Sequence, residues 1–433
     1  IKAGSYKHEQ AAVEVTSDKV IFDNLDFGYY VITSTLGSAV TITSAIPDAT
    51  VIDKNQKPSN LQKKIVDAGK LVESNTASIG DIVHYQISMD ATNYDGENQI
   101  QYYTIYDNEG EAIYADYESI KVFVGETELK KGWFIGEVDT SNWGPALGDW
   151  GTDTPAINEA QWYLVKTDDD EFHITIPWMT NHTWNNDSYT LTFGGTSESK
   201  YAATSEIKVT YTSKLGADAS IDQPDQNYNK AYGSWFWDGG KDHTSTSQVT
   251  TYTYGIGLHK IDEKEKTSLA GAKFRLYSDA ECTQPVYVIP TNVDGVYMVD
   301  DYNKTVSDVT YTARKAYENQ WSAYLGSLTQ DNRVESPVNG KIVILGLDVG
   351  NYWLKEYEAP AGYNLPADPV EYTIGKDTSV KFEIFHNDGV VADVNNVDQG
   401  HTRTEYKLTT MDVENSSGTV LPSTGGTGTV LLV

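Results

Sequence analysis

The 433-residue chain is poor in cysteine, in basic residues and in long apolar runs. Its single cysteine, Cys282, excludes an internal disulfide and any zinc site built from several thiolates. Lys and Arg together number 32 against 62 Asp and Glu, which leaves a net charge of −30. Nucleic acid and anionic membrane surfaces both repel such a polyanion, so neither is an expected partner. No HExxH, P-loop, nucleophile-elbow or EF-hand spacing occurs, and no metal or cofactor is implied. The run Asp168-Asp169-Asp170-Glu171 lacks EF-hand spacing and reads as a solvated turn. No stretch carries a long helical period with caps. Only short connecting helices fit the pattern, for example around Arg314 to Leu325.

What is present points to strands. Tyr numbers 30 and Gly 35, with 12% aromatics inside a hydrophobic fraction of 39%, enough to build folded cores. At roughly 150 residues per domain the length suggests about three domains. Ile82, His84 and Gln86 alternate with Val83, Tyr85 and Ile87, and the same period of two runs through Tyr102–Tyr106 and Glu206–Tyr211. The expected fold class is all-β, with immunoglobulin-like sandwiches in tandem. Residues 1–53 read as strands and turns too short to bury a core, the end of a truncated domain. Residues 54–250 form a middle sandwich with long loops, and residues 251–420 a C-terminal sandwich. Residues 421–433 are a tail. Six tryptophans, Trp133, Trp143, Trp150, Trp162, Trp178 and Trp184, crowd the middle unit. They read as core and loop anchors ahead of the alternative, a sugar-stacking surface.

The sharpest signal is polar residues on apolar strand faces, where i and i+2 share a side. Tyr254, Ile256, Leu258 and Lys260 share a face, as do Tyr352, Leu354 and Glu356, and Met411, Val413 and Asn415. One sandwich therefore offers an inward lysine, an inward glutamate and an inward asparagine. Each is costly to bury alone. Burial favours a neutral amine and a neutral acid. A neutral amine is a nucleophile, and an acid that polarises the asparagine carbonyl would allow a Lys–Asn isopeptide bond with loss of ammonia. From periodicity alone this reading and that of a buried ion pair with a bystander asparagine stand level. The middle unit repeats the pattern. Lys63 lies inward with Leu61 and Ile65 while Lys64 faces out, Asp107 lies with Tyr103 and Ile105, and Asn227, Asn229 and Ala231 share a face.

Short motifs add a resemblance. Leu421-Pro422-Ser423-Thr424-Gly425, followed by glycines and the start of an apolar run, resembles the cell-wall sorting signal of Gram-positive surface proteins. A membrane span needs about 20 apolar residues, and the run ends almost at once. No signal peptide opens the chain, so both ends read as truncated. In that family the transpeptidase sortase cleaves between Thr and Gly, here Thr424 and Gly425, and passes the Thr carbonyl to an amine. Tyr352-x-Leu354-x-Glu356-x-x-Ala359-Pro360-x-Gly362-Tyr363 matches the E-box of Gram-positive pilins, YxLxExxAPxGY, at every fixed position. The chain thus resembles a sortase-assembled major pilin with collagen-adhesin type domains, its third unit being of the B type.

The resemblance implies roles for particular residues. Glu356 would assist a Lys260–Asn415 cross-link. Asp107 would assist one between Lys63 and Asn229, with Asn227 as the alternative; Trp235-Phe236-Trp237 downstream departs from the family pattern. The stretch Ala49-Thr50-Val51-Ile52-Asp53-Lys54-Asn55 stands where backbone pilins carry the lysine that receives the next subunit's Thr carbonyl. Lys54 is therefore the expected polymerisation lysine, although Asp53 replaces the usual proline. The implied protein is extracellular and wall-anchored. Its partners are sortase, identical subunits, ancillary pilins, peptidoglycan and, where one exists, a host ligand. It is a substrate and structural element without a cofactor, not an enzyme. Two rivals are a wall-anchored adhesin or ancillary tip pilin of the same domain type, and a wall-bound glycosidase using two carboxylates.

Overall fold

The computed structural model describes residues 57–136, 156–300, 331–383 and 405–418, with short breaks inside them, and the strand pairs 28–32/38–42 and 305–306/309–310. Lys54, the sorting signal around Thr424, the tryptophans Trp143 and Trp150, and the segment Arg314–Leu325 lie outside the described residues. Among the described residues the only helix is a short 3₁₀ turn, Ile157–Glu159, and no helix is long and apolar enough to cross a membrane. The all-β expectation holds. Gly28–Ile32 and Ser38–Ile42 pair antiparallel near the start of the chain.

Strands between Ser59 and Tyr252 build two sheets that face each other. One runs, in spatial order, Thr127–Leu129, Ile113–Val124, Thr204–Leu215, Ile82–Thr92, Ser59–Asp67 and Lys70–Val72. The other runs Gly132–Gly136, Trp162–Asp168, Glu171–Pro177, Tyr102–Glu109, Tyr228–Trp237, Ser247–Tyr252 and Ser74–Thr76, with Gly240–His243 also paired to Tyr228–Trp237. The inward residues are those the alternation requires: Val83, Tyr85, Ile87 and Met89 are buried while His84 and Asp90 are exposed. Of the acidic run, Asp168 and Glu171 pair across two antiparallel strands, while Asp169 and Asp170 lie outside the described residues.

Strands from Tyr254 to Asn415 build a second sandwich. Its larger sheet runs Val288–Pro290, Val296–Val299, Lys341–Leu347, Tyr254–Asp262, Glu405–Asn415 and Val380–Glu383. The facing sheet runs Arg333–Glu335, Lys273–Tyr277, Gly350–Glu358 and Val370–Ile374. Its first and last strands, Tyr254–Asp262 and Glu405–Asn415, lie side by side and parallel, with Lys260 opposite Val413 and Asp262 opposite Asn415. The two sandwiches touch through a tight joint. Ile79 donates its backbone N–H to Gly346 (2.9 Å), and Asp348 donates its own to the Ser78 hydroxyl (2.9 Å).

The described tryptophans of this set fall mainly on the core side. Trp162, Trp178 and Trp184 are buried, and Trp133 packs half-buried against a side cluster with Tyr163 and Trp184. The Trp162 indole donates to the Leu129 carbonyl (2.9 Å) and that of Trp178 to the Asn93 side chain (2.7 Å), so these rings anchor loops. One face reading needs correction. Met411 is exposed, and its row becomes core only at Val413 and Asn415.

Candidate functional site

The C-terminal sandwich brings Lys260, Glu356 and Asn415 into contact. Lys260 is fully buried, with Glu356 and Asn415 almost so. The Lys260 amine donates to Asn415 Oδ1 and to the Val413 carbonyl, and Lys260 Nζ stands 3.2 Å from Glu356 Oε2. Asn415 Nδ2 donates to Glu356 Oε1 at 2.8 Å. One carboxyl thus spans the lysine nitrogen with one oxygen and the amide nitrogen with the other. Burial pushes the Lys260 amine below its usual range, against the opposing pull of Glu356. The other acid of this strand, Glu358, is exposed and pairs outward with Lys273 (2.9 Å).

The E-box residues do separate jobs around this contact. Leu354 is core, and the Tyr352 hydroxyl donates to the Asp348 carbonyl (3.2 Å) beside the joint with the preceding sandwich. Pro360 to Tyr363 form a turn, with Gly362 at φ +88°, a conformation that favours glycine. That turn holds the chain just past Asn415: Gly418 donates to the Gly362 carbonyl (2.8 Å) and Asn364 to that of Ser416 (3.0 Å).

The middle sandwich holds a second buried cluster. Lys63 and Asp107 are fully buried, 2.5 Å apart. Lys63 comes from one sheet and Asp107 and Asn229 from the other. Asn229 makes no hydrogen bond to Asp107. Its Nδ2 donates to the Tyr211 hydroxyl (2.8 Å), which also accepts from Lys63 (2.7 Å) and donates to Asp107 Oδ2 (2.9 Å). Oδ1 of Asp107 and Oδ1 of Asn229 are buried without a hydrogen-bond partner. Asn227 is committed elsewhere, since both its amide atoms bond the backbone of Ser220 at 2.7 Å. Burial lowers Lys63 from its usual range and raises Asp107, each opposed by the other.

Two members of this cluster escaped the sequence reading. Tyr211 has the inward parity of any core tyrosine, and only its partners distinguish it. Glu109 shares a face with Asp107, a signal the period of two did offer. It is buried, accepts from Ser213 Oγ (3.1 Å) and the Ala115 N–H (3.3 Å), and is pushed up to about 8 by burial and the nearby Asp107. Close to Lys54 in the sequence, the exposed Lys57 reaches Asp242 (3.1 Å) and the buried Asp95 (3.5 Å). Among the described residues no cluster of His, Cys, Asp and Glu is arranged to hold a metal ion.

Residues 255–388 match the family model of the SpaA prealbumin-like fold domain. No curated protein sequence matches the chain. Among solved structures, the backbone protein of pilus 2b from group B streptococcus is 22% identical, with a TM-score of 0.49 over 83% of this chain and 99% of that one. Domains D2 and D3 of the major pilin SpaD from Corynebacterium diphtheriae are 16% identical, with a TM-score of 0.42 over 83% and 99%. The pilus backbone RrgB from Streptococcus pneumoniae is 13% identical, with a TM-score of 0.44 over 84% and 100%. The C-terminal sandwich, which carries Lys260, Glu356 and the E-box, is thus the part of the chain similar to the SpaA prealbumin-like fold domain, and Asn415 lies beyond the matched residues.

Proposed function

We propose that the chain is a shaft subunit of a covalent pilus on a Gram-positive cell surface, clamped by self-formed Lys63–Asn229 and Lys260–Asn415 isopeptide bonds. One observation carries the reading: two sandwiches of different strand order each bury a lysine against an acid beside an asparagine. Such groups are costly to bury as ions and gain a use when the amine is neutral. In the C-terminal sandwich the Lys260 amine attacks Asn415 Cγ, and the Cγ–Nδ2 bond breaks. Glu356 takes a proton from the attacking nitrogen and gives one to the leaving nitrogen, so ammonia departs and the carboxyl is unchanged. Each reaction occurs once per molecule, which makes the protein a substrate of its own fold and not an enzyme.

The bonds suit a load-bearing fibre. A pull entering along Tyr254–Asp262 would cross from Lys260 to Asn415 and leave the sandwich without loading the chain between them. By loop-closure entropy, each cross-link would stabilise its sandwich by on the order of 5 kcal/mol. Assembly rests on the sequence motifs. Sortase would cut the LPSTG signal (Leu421, Pro422, Thr424, Gly425) after Thr424 and join that carbonyl to Lys54 of the next subunit. Ancillary pilins and peptidoglycan would complete the extracellular, wall-anchored assembly.

The test is co-expression of the full-length protein with its sortase in a Gram-positive host. The wild type should form a ladder of covalent polymers, and Lys54→Ala should leave monomer. Unchanged ladders from Lys54→Ala would contradict the shaft reading and favour a wall-anchored adhesin of the same domain type.

A further inference from the structure

The two buried clusters differ in reach. In the C-terminal sandwich Glu356 touches both the lysine nitrogen and the asparagine amide with its own two oxygens. In the middle sandwich Asp107, one methylene shorter, hydrogen-bonds Lys63 but not the Asn229 amide. The Tyr211 hydroxyl fills that gap. It accepts from Lys63 Nζ (2.7 Å) and from Asn229 Nδ2 (2.8 Å) and donates to Asp107 Oδ2 (2.9 Å), so it contacts nucleophile, acid and leaving group at once. We propose that Tyr211 is a catalytic residue of the middle cross-link, a phenol relay through which the short acid Asp107 serves the Asn229 amide.

The proposal rests on the cross-linking reading above, and its proton balance closes. The neutral Lys63 amine forms the bond to Asn229 Cγ. As the Cγ–Nδ2 bond breaks, the phenol gives its proton to the leaving nitrogen and takes the carboxyl proton of Asp107. Asp107 then removes the proton from the acylated Lys63 nitrogen. Ammonia leaves, and Asp107 and Tyr211 end as they began. Two further observations favour this role. The ring is fixed by its neighbours, stacked on Tyr85 at 5.3 Å and edge-on to Phe172 at 5.5 Å, so the hydroxyl is held in place. Burial and the adjacent Asp107 and Glu109 push the phenol well above its usual value, so it rests in the protonated form that the relay starts from. Glu109 does not take the relay role, because its oxygens are engaged by Ser213 and Ala115.

The experiment is intact mass and peptide mapping of the full chain as wild type, Tyr211→Phe and Asp107→Glu/Tyr211→Phe, followed over time after purification. The Lys260–Asn415 bond serves as an internal control for folding. The wild type should carry the Lys63–Asn229 bond. Tyr211→Phe should fold, keep the C-terminal bond and form the middle bond at least tenfold more slowly. The double variant should recover it, since the longer acid reaches the amide and the vacated hydroxyl leaves room for its methylene. A core role for Tyr211 alone predicts no such rescue. Bond formation in Tyr211→Phe at the wild-type rate, or a loss that Asp107→Glu does not repair, overturns the relay. Absence of the bond from the wild type overturns the middle cross-link itself, a distinct result.

Discussion

Lys63 and Lys260 each place an amine where water does not reach, and the neighbouring acids decide what that amine becomes. In the middle sandwich two acids, Asp107 and Glu109, surround one lysine, so one acid proton is in excess. Glu109 holds it, raised from the ordinary 4.5 to about 8. The sign of the linkage follows. Between those values the folded state binds a proton that the unfolded state has released, so this group's contribution to stability is greatest below 4.5. It declines as the pH rises towards 8 and is constant above. Glu109→Gln, neutral at every pH, should flatten that part of the curve. Denaturant midpoints measured across the window check this, and parallel curves for wild type and variant would contradict it. The strand parity that pointed to Lys63, Asp107 and Asn229 could not single out Tyr211, because an inward tyrosine looks the same whether its hydroxyl is a bystander or a bridge. Nor could parity separate Asn227 from Asn229, which share a face. Only the backbone of Ser220, which occupies both amide atoms of Asn227, separates them.

Among the elements, the strands that deliver the buried groups were legible from alternation because one face of each is packed and the other wet. The E-box strand Gly350–Glu358 is the clearest case, with Tyr352, Leu354 and Glu356 inward and Glu358 out at the rim. The last strand was less legible. Met411 is exposed although Val413 and Asn415 on the same row are covered, and Leu408, of the opposite parity, is fully buried. The pairing of first and last strands in parallel, which sets Lys260 beside Asn415, joins segments far apart in sequence and leaves no local signature. The joint between sandwiches was equally hidden. Gly346 sits there at φ +86°, and an added Cβ would meet Ile79 Cδ1 at 2.3 Å. Gly346→Ala should therefore cost about 1–3 kcal/mol and break the 2.9 Å hydrogen bond from Ile79. Amide exchange at Ile79 reads this directly: faster exchange in the variant is expected, and unchanged protection would contradict a rigid joint.

At the scale of the molecule, a chain with one cysteine and a charge of −30 builds its described residues into sandwiches without a disulfide. Both sandwiches instead bury a lysine, an acid and an asparagine together, the residue types from which an isopeptide bond can be made. Joined as proposed, these two contacts would form a covalent frame, each closing a long stretch of chain. The mass of the intact purified chain tests this directly. The mass should fall short of the sequence mass by two molecules of ammonia, with digestion recovering Lys63 joined to Asn229 and Lys260 joined to Asn415. A mass equal to that of the unmodified sequence would contradict the account.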